Sequence, residues 1–275
     1  MRKKIAVTGS GGFIGRYVEK IITDNGDDFI GFDRVDGNDI LGVLDTLTGA
    51  STVIHLAGML GTTELFYTPE AAIKANVNGT VRVLEWCANN GAGFVGITMP
   101  DSSWANVYQA TKLCAMRLAT AWHRNMGVPV SHVRAFNAYG AGQKHGSLHP
   151  QKIIPTFASV AWDKRPIPVW GNGRQTVDLV HAEDVAQILY QATKFGDDEI
   201  FDAGTGVAMT VNMVADLVNE VTDNRTQGVT HYAMRPGEEP ETHIVAKGEG
   251  WDKLGWHPEL RLSMIAETVR SYRPI

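Results

Sequence analysis

Ile5-Ala6-Val7-Thr8-Gly9-Ser10-Gly11-Gly12-Phe13-Ile14-Gly15 runs from a short apolar segment through a glycine turn into residues with helical spacing. The glycines at 9, 12 and 15 are three apart. Gly9 permits a tight turn, Gly12 lets the backbone approach a diphosphate, and Gly15 lets the helix pack against the strand. Free N–H groups and the dipole at the helix start favour anionic phosphates. A glycine-rich turn with no ligand is the competing reading, and the strand–turn–helix context weighs against it. Asp33 closes the next apolar run, Phe29 to Phe32. A carboxylate there accepts both hydroxyls of an adenosine ribose and repels a 2′-phosphate, which favours NAD over NADP. The alternatives are a helix-capping Asp33 and an Arg34 that pairs with a 2′-phosphate.

Outward from this turn, strand and helix patterns alternate. Phe13 to Asp24 has helical spacing, Thr52 to Ala57 reads as a buried strand, and Pro69 to Asn89 has the length and period of one long helix. Gly93 to Thr98 predicts a strand, Ala105 to Met126 a helix, and Pro129 to Phe136 a strand. This rhythm predicts an α/β fold, a Rossmann-type doubly wound parallel sheet with helices on both faces. After Asn137 the rhythm breaks. Asp178 to Lys194 and Glu199 to Ala203 read as a helix and a strand returned to the main sheet. The division expected is residues 1–140 and 176–203 for the dinucleotide-binding domain. Residues 141–175 and 204–275 would form a smaller C-terminal substrate lobe, with the ligand cleft between the two.

The 275 residues are 44% hydrophobic and 20% charged, with 29 Gly and 11 Pro, an ordinary globular composition that argues against disorder, collagen and coiled coil. The net charge of -5 supplies no field to attract a nucleic-acid backbone. Cys87 and Cys114 cannot make a disulfide framework, which points to a reducing compartment. The basic start is followed by too short an apolar run for a signal peptide, and no run of about 18 apolar residues exists to span a membrane. The expectation is a soluble cytoplasmic protein with a small-molecule partner. His145 and His181 have no ligand spacing with other side chains, so no metal site is expected.

Tyr108-Gln109-Ala110-Thr111-Lys112 lies in a predicted helix, where a spacing of four puts Tyr108 and Lys112 on one face. An ammonium near a phenol favours the phenolate, so Lys112 is expected to lower the Tyr108 pKa from about 10. A tyrosine tuned in this way can take a proton from an alcohol while a hydride leaves the same carbon.

With these motifs in place, the chain resembles the extended short-chain dehydrogenase/reductase family, and within it the NAD-dependent nucleotide-sugar epimerases and dehydratases. Besides the glycine turn and the Tyr108/Lys112 pair, several segments carry the resemblance. Asn38-Asp39-Ile40 resembles the adenine-contacting segment, His55-Leu56-Ala57-Gly58 the strand over the cofactor, and Asn76-Val77-Asn78-Gly79-Thr80 the structural Asn motif. Arg134 to Gly140, Gly171-Asn172-Gly173, Asp178 to Val185 and Arg235-Pro236-Gly237-Glu238 extend the match over almost the whole chain. The resemblance implies a cofactor site built from Gly9, Gly12, Phe13, Ile14, Gly15, Asp33, Arg34, Asp39, Ile40, Leu56, Ala57, Gly58 and Asn76. It implies Tyr108 as base and Lys112 as its partner on the nicotinamide ribose. It also implies Asn137 and Arg235 as contacts to a nucleoside diphosphate sugar, and a homodimer paired through the Tyr108 helix and the long helix before it. Leu84, Leu113, Met116 and Leu118 are candidates for that face or for the core.

Three departures from the family pattern bear on chemistry. The family's Ser or Thr before the catalytic Tyr falls on Thr98 or, on strict alignment, on Met99, with Ser102 and Ser103 as substitutes from a short loop. Thr98 is the first choice as a catalytic helper. Val177 stands where the family often has Arg, so Arg174 is the expected substitute on the diphosphate. The acid pair of the dehydratases is absent beside Thr98. The function expected is therefore NAD-dependent epimerisation at sugar C4 through a transient keto intermediate. A 4,6-dehydratase or ketoreductase, and a non-catalytic NAD(P)-binding sensor, are the alternatives.

Overall fold

Ile5 and Val7 face one side of their strand and Ala6 the other, because successive side chains alternate along extended backbone. The same alternation recurs through the sheet, and it requires cover on both faces. The structure is a computed structural model that describes residues 2–34, 47–100, 102–144 and 151–274. Its strands are β1 (Lys4–Thr8), β2 (Asp28–Phe32), β3 (Thr52–His55), β4 (Gly93–Thr98), β5 (Val130–Ala135), β6 (Asn137–Tyr139), β7 (Ile167–Trp170), β8 (Thr176–Val177), β9 (Leu179–His181), β10 (Asp197–Ala203), β11 (Met209–Thr210) and β12 (Val229–Tyr232). Its helices are α1 (Phe13–Asp24), α2 (Pro69–Ile73), α3 (Gly79–Asn90), α4 (Val107–Met126), α5 (Ile153–Trp162), α6 (Ala182–Ala192), α7 (Val211–Val221), α8 (Trp251–Leu254) and α9 (Leu262–Ser271).

Six strands form one parallel sheet in the order β10-β5-β4-β3-β1-β2. Helices α1 and α6 bury Val18, Ile22, Val185 and Leu189 against Ile5, Val7, Ile54 and Val133 on one face. On the other face α3 and α4 bury Val83, Leu84, Cys87 and Ala119 against Ala6, Val53, Phe94 and Val130. This is the doubly wound arrangement expected. Leu84 is wholly buried and offers no outer face, while Leu118 is half-buried and packs in part on the same core. The strand order reverses between β1 and β3, and the crevice beyond their carboxyl ends is where such sheets take ligands. A separate apolar cluster joins Ile154 and Phe157 of α5, Ile167 and Val169 of β7, Val214 and Val218 of α7, and Ile265 and Val269 of α9.

Two sequence expectations need correction. The run Pro69 to Asn89 is not one regular helix, because residues Lys74–Asn78 form a π-helical turn between α2 and α3. The wider turn holds Asn76, whose side chain is fully engaged elsewhere, and such bulges cluster near functional sites. Asp178 to Lys194 is not helical from its start. Leu179–His181 forms β9, paired with β6, and His181 then caps α6 by accepting the Glu183 N–H. Among the described residues no helix is long and apolar enough to cross a membrane.

Candidate active site

The glycine turn is held from two directions. Gly9 and Ser10 donate their N–H groups to the Phe32 carbonyl, tying the turn to the end of β2. Gly9 has φ +75°, and a Cβ on Gly15 would stand 2.4 Å from the Gly9 and Ser10 carbonyl oxygens. Gly12 precedes α1 with no side-chain cap, and the first helical turn carries no acidic residue. Its N–H groups therefore remain for an anion. A cavity of about 750 Å³ opens over this turn. Gly9, Gly12, Phe13, Ile14 and Gly15 line one end of it, Asp33 and Arg34 another, and Leu56, Ala57 and Gly58 the wall contributed by the segment after β3. Asp39 and Ile40 lie outside the described residues.

Asn76 is absent from the lining and acts from behind it. Its Oδ1 accepts the Met59 N–H at 2.7 Å, and its Nδ2 donates to the Met59 carbonyl and to Thr111 Oγ1, each at 3.0 Å. This fixes the segment after β3 against α4, so Asn76 shapes the cavity wall without touching its contents. Thr8 braces the same edge. Its hydroxyl accepts the Ala57 N–H and pairs at 2.7 Å with Nδ1 of buried His55. Burial pushes the His55 pKa down to about 3, and this keeps the ring neutral.

Helix α4 starts at a built cap: Asn106 Oδ1 accepts the Gln109 N–H at 2.8 Å. Tyr108 and Lys112 lie on the helical face that lines the cavity, together with Thr98 from the end of β4. The expected direction of the tyrosine shift is wrong for the protein alone. Burial pushes the Tyr108 phenol up to about 12 and the Lys112 ammonium down to about 8. Desolvation disfavours both charged forms here and outweighs any help from the pairing.

A second cavity of about 260 Å³ adjoins the first. Tyr108, Phe136, Asn137 and Lys152 belong to the walls of both. Met99, Pro100 and Trp104 from the short loop after β4 form one side of the second, and Trp170, Val177 and Arg235 another. The Arg235 guanidinium lies 4.9 Å from the centre of the Trp170 ring, pairs with Glu238, and donates through Nη1 to Gln151 Oε1 at 3.4 Å. Lys152 precedes α5 at the border of the two cavities, and burial, reinforced by Arg235, lowers its pKa.

Three sets of sequence candidates lie apart from this second cavity. Arg174 is exposed and lines neither cavity, its loop instead being organised by Asn172 Oδ1, which accepts the Arg174 N–H at 2.9 Å. Thr98 is buried, lines only the first cavity, and its Oγ1 has no hydrogen-bond partner. The residue that reaches the second cavity from this strand end is Met99. Ser102 is tied to Gln109 by two hydrogen bonds and Ser103 donates to Glu239, and neither lines either cavity. Sequence reasoning missed Lys152, Trp104 and Trp170. Their signal is weak, because a lysine before a helix and single tryptophans in loops belong to no spacing pattern. The structure alone brings them to the same cavity as Arg235.

Comparison with known proteins gives the family and bears out the fold. Residues 5–204 match the model of the family described as the NAD dependent epimerase/dehydratase family. UDP-glucuronic acid decarboxylase 1 of Arabidopsis thaliana is 24% identical over 300 residues, covering 95% of this chain and 67% of that protein. A dTDP-glucose 4,6-dehydratase of Salmonella typhimurium is 26% identical and covers 98% of this chain and 92% of its own. The crystal structure of a UDP-glucose 4-epimerase from Thermotoga maritima, with UDP-glucose, has a TM-score of 0.87 at 22% identity, covering 98% of each chain.

Proposed function

Because the chain belongs to the NAD dependent epimerase/dehydratase family, we propose that it epimerises a nucleoside diphosphate sugar at C4 through a transient keto sugar. The observation that carries this reading is the place of Tyr108, a single phenol in the walls of both cavities. The first cavity fits NAD. The uncapped start of α1 suits its diphosphate, Asp33 its adenosine ribose, and Lys112 its second ribose. Bound NAD supplies a hydride acceptor and then a hydride donor.

The remaining work belongs to side chains of this protein. Tyr108 acts in its phenolate form, which the Lys112 ammonium and the positive charge that bound NAD would bring favour over the ligand-free phenol. It takes the proton from the hydroxyl on the reacting carbon and returns it to the keto oxygen once the sugar has turned over. Lys112, with its pKa near 8, keeps its proton at neutral pH and opposes the charge that forms on the phenolate. The second cavity holds the donor sugar. Arg235 and Lys152 offer two cations to a diphosphate where Val177 offers none. Trp104, Trp170, Phe136 and Met99 give apolar walls to the rings. The relatives' names include dehydratases, yet among the described residues the strand end beside Tyr108 carries Met99 and Pro100, neither of them an acid or a base. This supports reading the reaction as epimerisation rather than elimination.

The test is turnover of UDP-glucose, dTDP-glucose and UDP-glucuronic acid by the NAD-loaded protein, followed by proton NMR and absorbance at 340 nm. The expected result is a C4 epimer with no net NADH. Loss of water from the sugar, or a stoichiometric rise in NADH, overturns the reading.

A further inference from the structure

One side chain joins the turn that carries Arg235 to the helix that carries Tyr108. Asn106 is buried; while its Oδ1 caps α4, its Nδ2 donates to the Gly237 carbonyl at 2.9 Å. Tyr108 lies two residues after this cap, and Gly237 lies two residues after Arg235. The turn is seated closely. Gly237 has φ +82°, and a Cβ there would stand 3.0 Å from Asn106 Cβ and 2.9 Å from Phe66 Cε2. Its other side is held by Thr62 Oγ1, which donates to Glu238 Oε1 at 2.9 Å, and by Thr63 Oγ1, which donates to the Pro236 carbonyl at 2.9 Å. No strand ladder fixes residues 235–238, so side-chain hydrogen bonds set where this turn rests.

We propose that Asn106 is a positioning residue that couples the seating of the 235–238 turn to the first turn of α4, and hence to the Tyr108 phenol. The inference rests on the reading that Arg235 and Tyr108 act on one nucleotide sugar. A diphosphate that engages Arg235 competes with Glu238 for the guanidinium, and the turn then resettles. The Gly237 carbonyl moves with it, and Asn106 cannot follow that carbonyl without shifting its cap on Gln109. Displacement of a reacting group by about 1 Å can cost about 100-fold in rate, so a small shift of the cap is enough to matter.

Asn106→Ser separates the two bonds, because serine caps helices about as well as asparagine but offers no amide to Gly237. With NAD and UDP-glucose, this variant is expected to keep the wild-type NAD affinity and to melt only slightly earlier, as the loss of one hydrogen bond requires. Its kcat should fall by about 10- to 100-fold, with a much smaller change in KM. Asn106→Ala removes the cap as well and should melt earlier still. A wild-type kcat in Asn106→Ser overturns the proposal. A second arm needs no ligand. Gly237→Ala must push the turn away from Asn106, so hydrogen exchange at the Gln109 and Ala110 amides should speed up about tenfold, and adding Asn106→Ser should abolish that response. Unchanged exchange in Gly237→Ala overturns the coupling even if the epimerase reading stands. If wild type turns over no nucleotide sugar but exchange responds as described, the reading of function fails and the coupling survives.

Discussion

The two cavities that meet at Tyr108 are built by different means. The first is made of backbone: its floor is the Gly9–Gly15 turn, pinned to the end of β2 and beside the segment after β3, and its walls follow strands in a fixed register. The second is made of side chains from distant segments. Trp104 Nε1 donates to Thr242 Oγ1 across 138 residues, and Asn106 reaches Gly237 across 131. The first is therefore rigid because of a sheet, and the second is only as well ordered as a few hydrogen bonds between loops, each contributing about 1 kcal/mol net. A cofactor kept through many turnovers suits the first, and a substrate that must enter and leave suits the second.

The comparison breaks most sharply at the residue the cavities share. Tyr108→Phe is expected to lower turnover by about 10²- to 10⁴-fold while leaving NAD affinity within about twofold, because the ring still fills the wall. Full activity in this variant would leave the two cavities without a common chemistry, and NAD binding with no turnover of any nucleotide sugar by wild type would favour a sensor. The next largest effects should segregate by cavity. Arg235→Gln removes a charge-assisted contact and should raise KM for the nucleotide sugar by about 10- to 100-fold, with NAD binding measured by calorimetry unchanged. Gly15→Ala forces a methyl group into the Gly9 and Ser10 carbonyls. It should destabilise the fold by about 1–3 kcal/mol and weaken NAD, with little effect on binding of UDP alone.

The same division explains what could be read from the sequence. Gly9, Gly12, Gly15 and Ala57 are legible through local backbone geometry and Asp33 through its carboxylate at the end of the second strand, so their spacing along the chain carries the message, and the structure brings them to one cavity. Tyr108 and Lys112 are legible because one helical turn separates them. Arg174 lies outside both cavities, because its one useful property in the sequence, charge near the right motif, says nothing about where the loop after β7 points. Lys152 was invisible because its neighbours across the cavity, Arg235, Glu64 and Glu238, lie 83, 88 and 86 residues away in the chain. The tyrosine pKa failed for a related reason. Spacing reports the partner charge, but burial, which the chain pattern does not report, decides the sign in the protein alone.

Those two shifts predict opposite pH dependences of stability in the ligand-free protein. Lys112 falls from 10.5 to about 8, so its buried ammonium is a cost that is present below pH 8 and fades as pH rises towards 10.5. Lys112→Met should therefore raise the melting temperature by about 2–4 °C at pH 6.5 to 7, an advantage that shrinks above pH 8. Tyr108 rises from 10.0 to about 12, so the neutral phenol contributes stability that is fully present below pH 10 and is lost between 10 and 12. Tyr108→Phe should track wild type at neutral pH and outlast it only above pH 10. Parallel melting curves at all pH values would mean that the shared wall is wet rather than buried.

Thr98 offers the finest distinction between the cavities. Its hydroxyl is buried without a partner in the ligand-free protein and faces the first cavity, while Met99 takes the strand end into the second. An unmet hydroxyl is a cost, and valine keeps its shape without it, so Thr98→Val should stabilise the ligand-free fold by up to about 1 kcal/mol in chemical denaturation. If bound NAD satisfies that hydroxyl, the same variant should lose about 3- to 10-fold in NAD affinity with the nucleotide-sugar KM unchanged. A raised KM or a collapsed kcat at full NAD affinity would instead put Thr98 on the reacting sugar, and the boundary between the two cavities would have to be redrawn one residue earlier along β4.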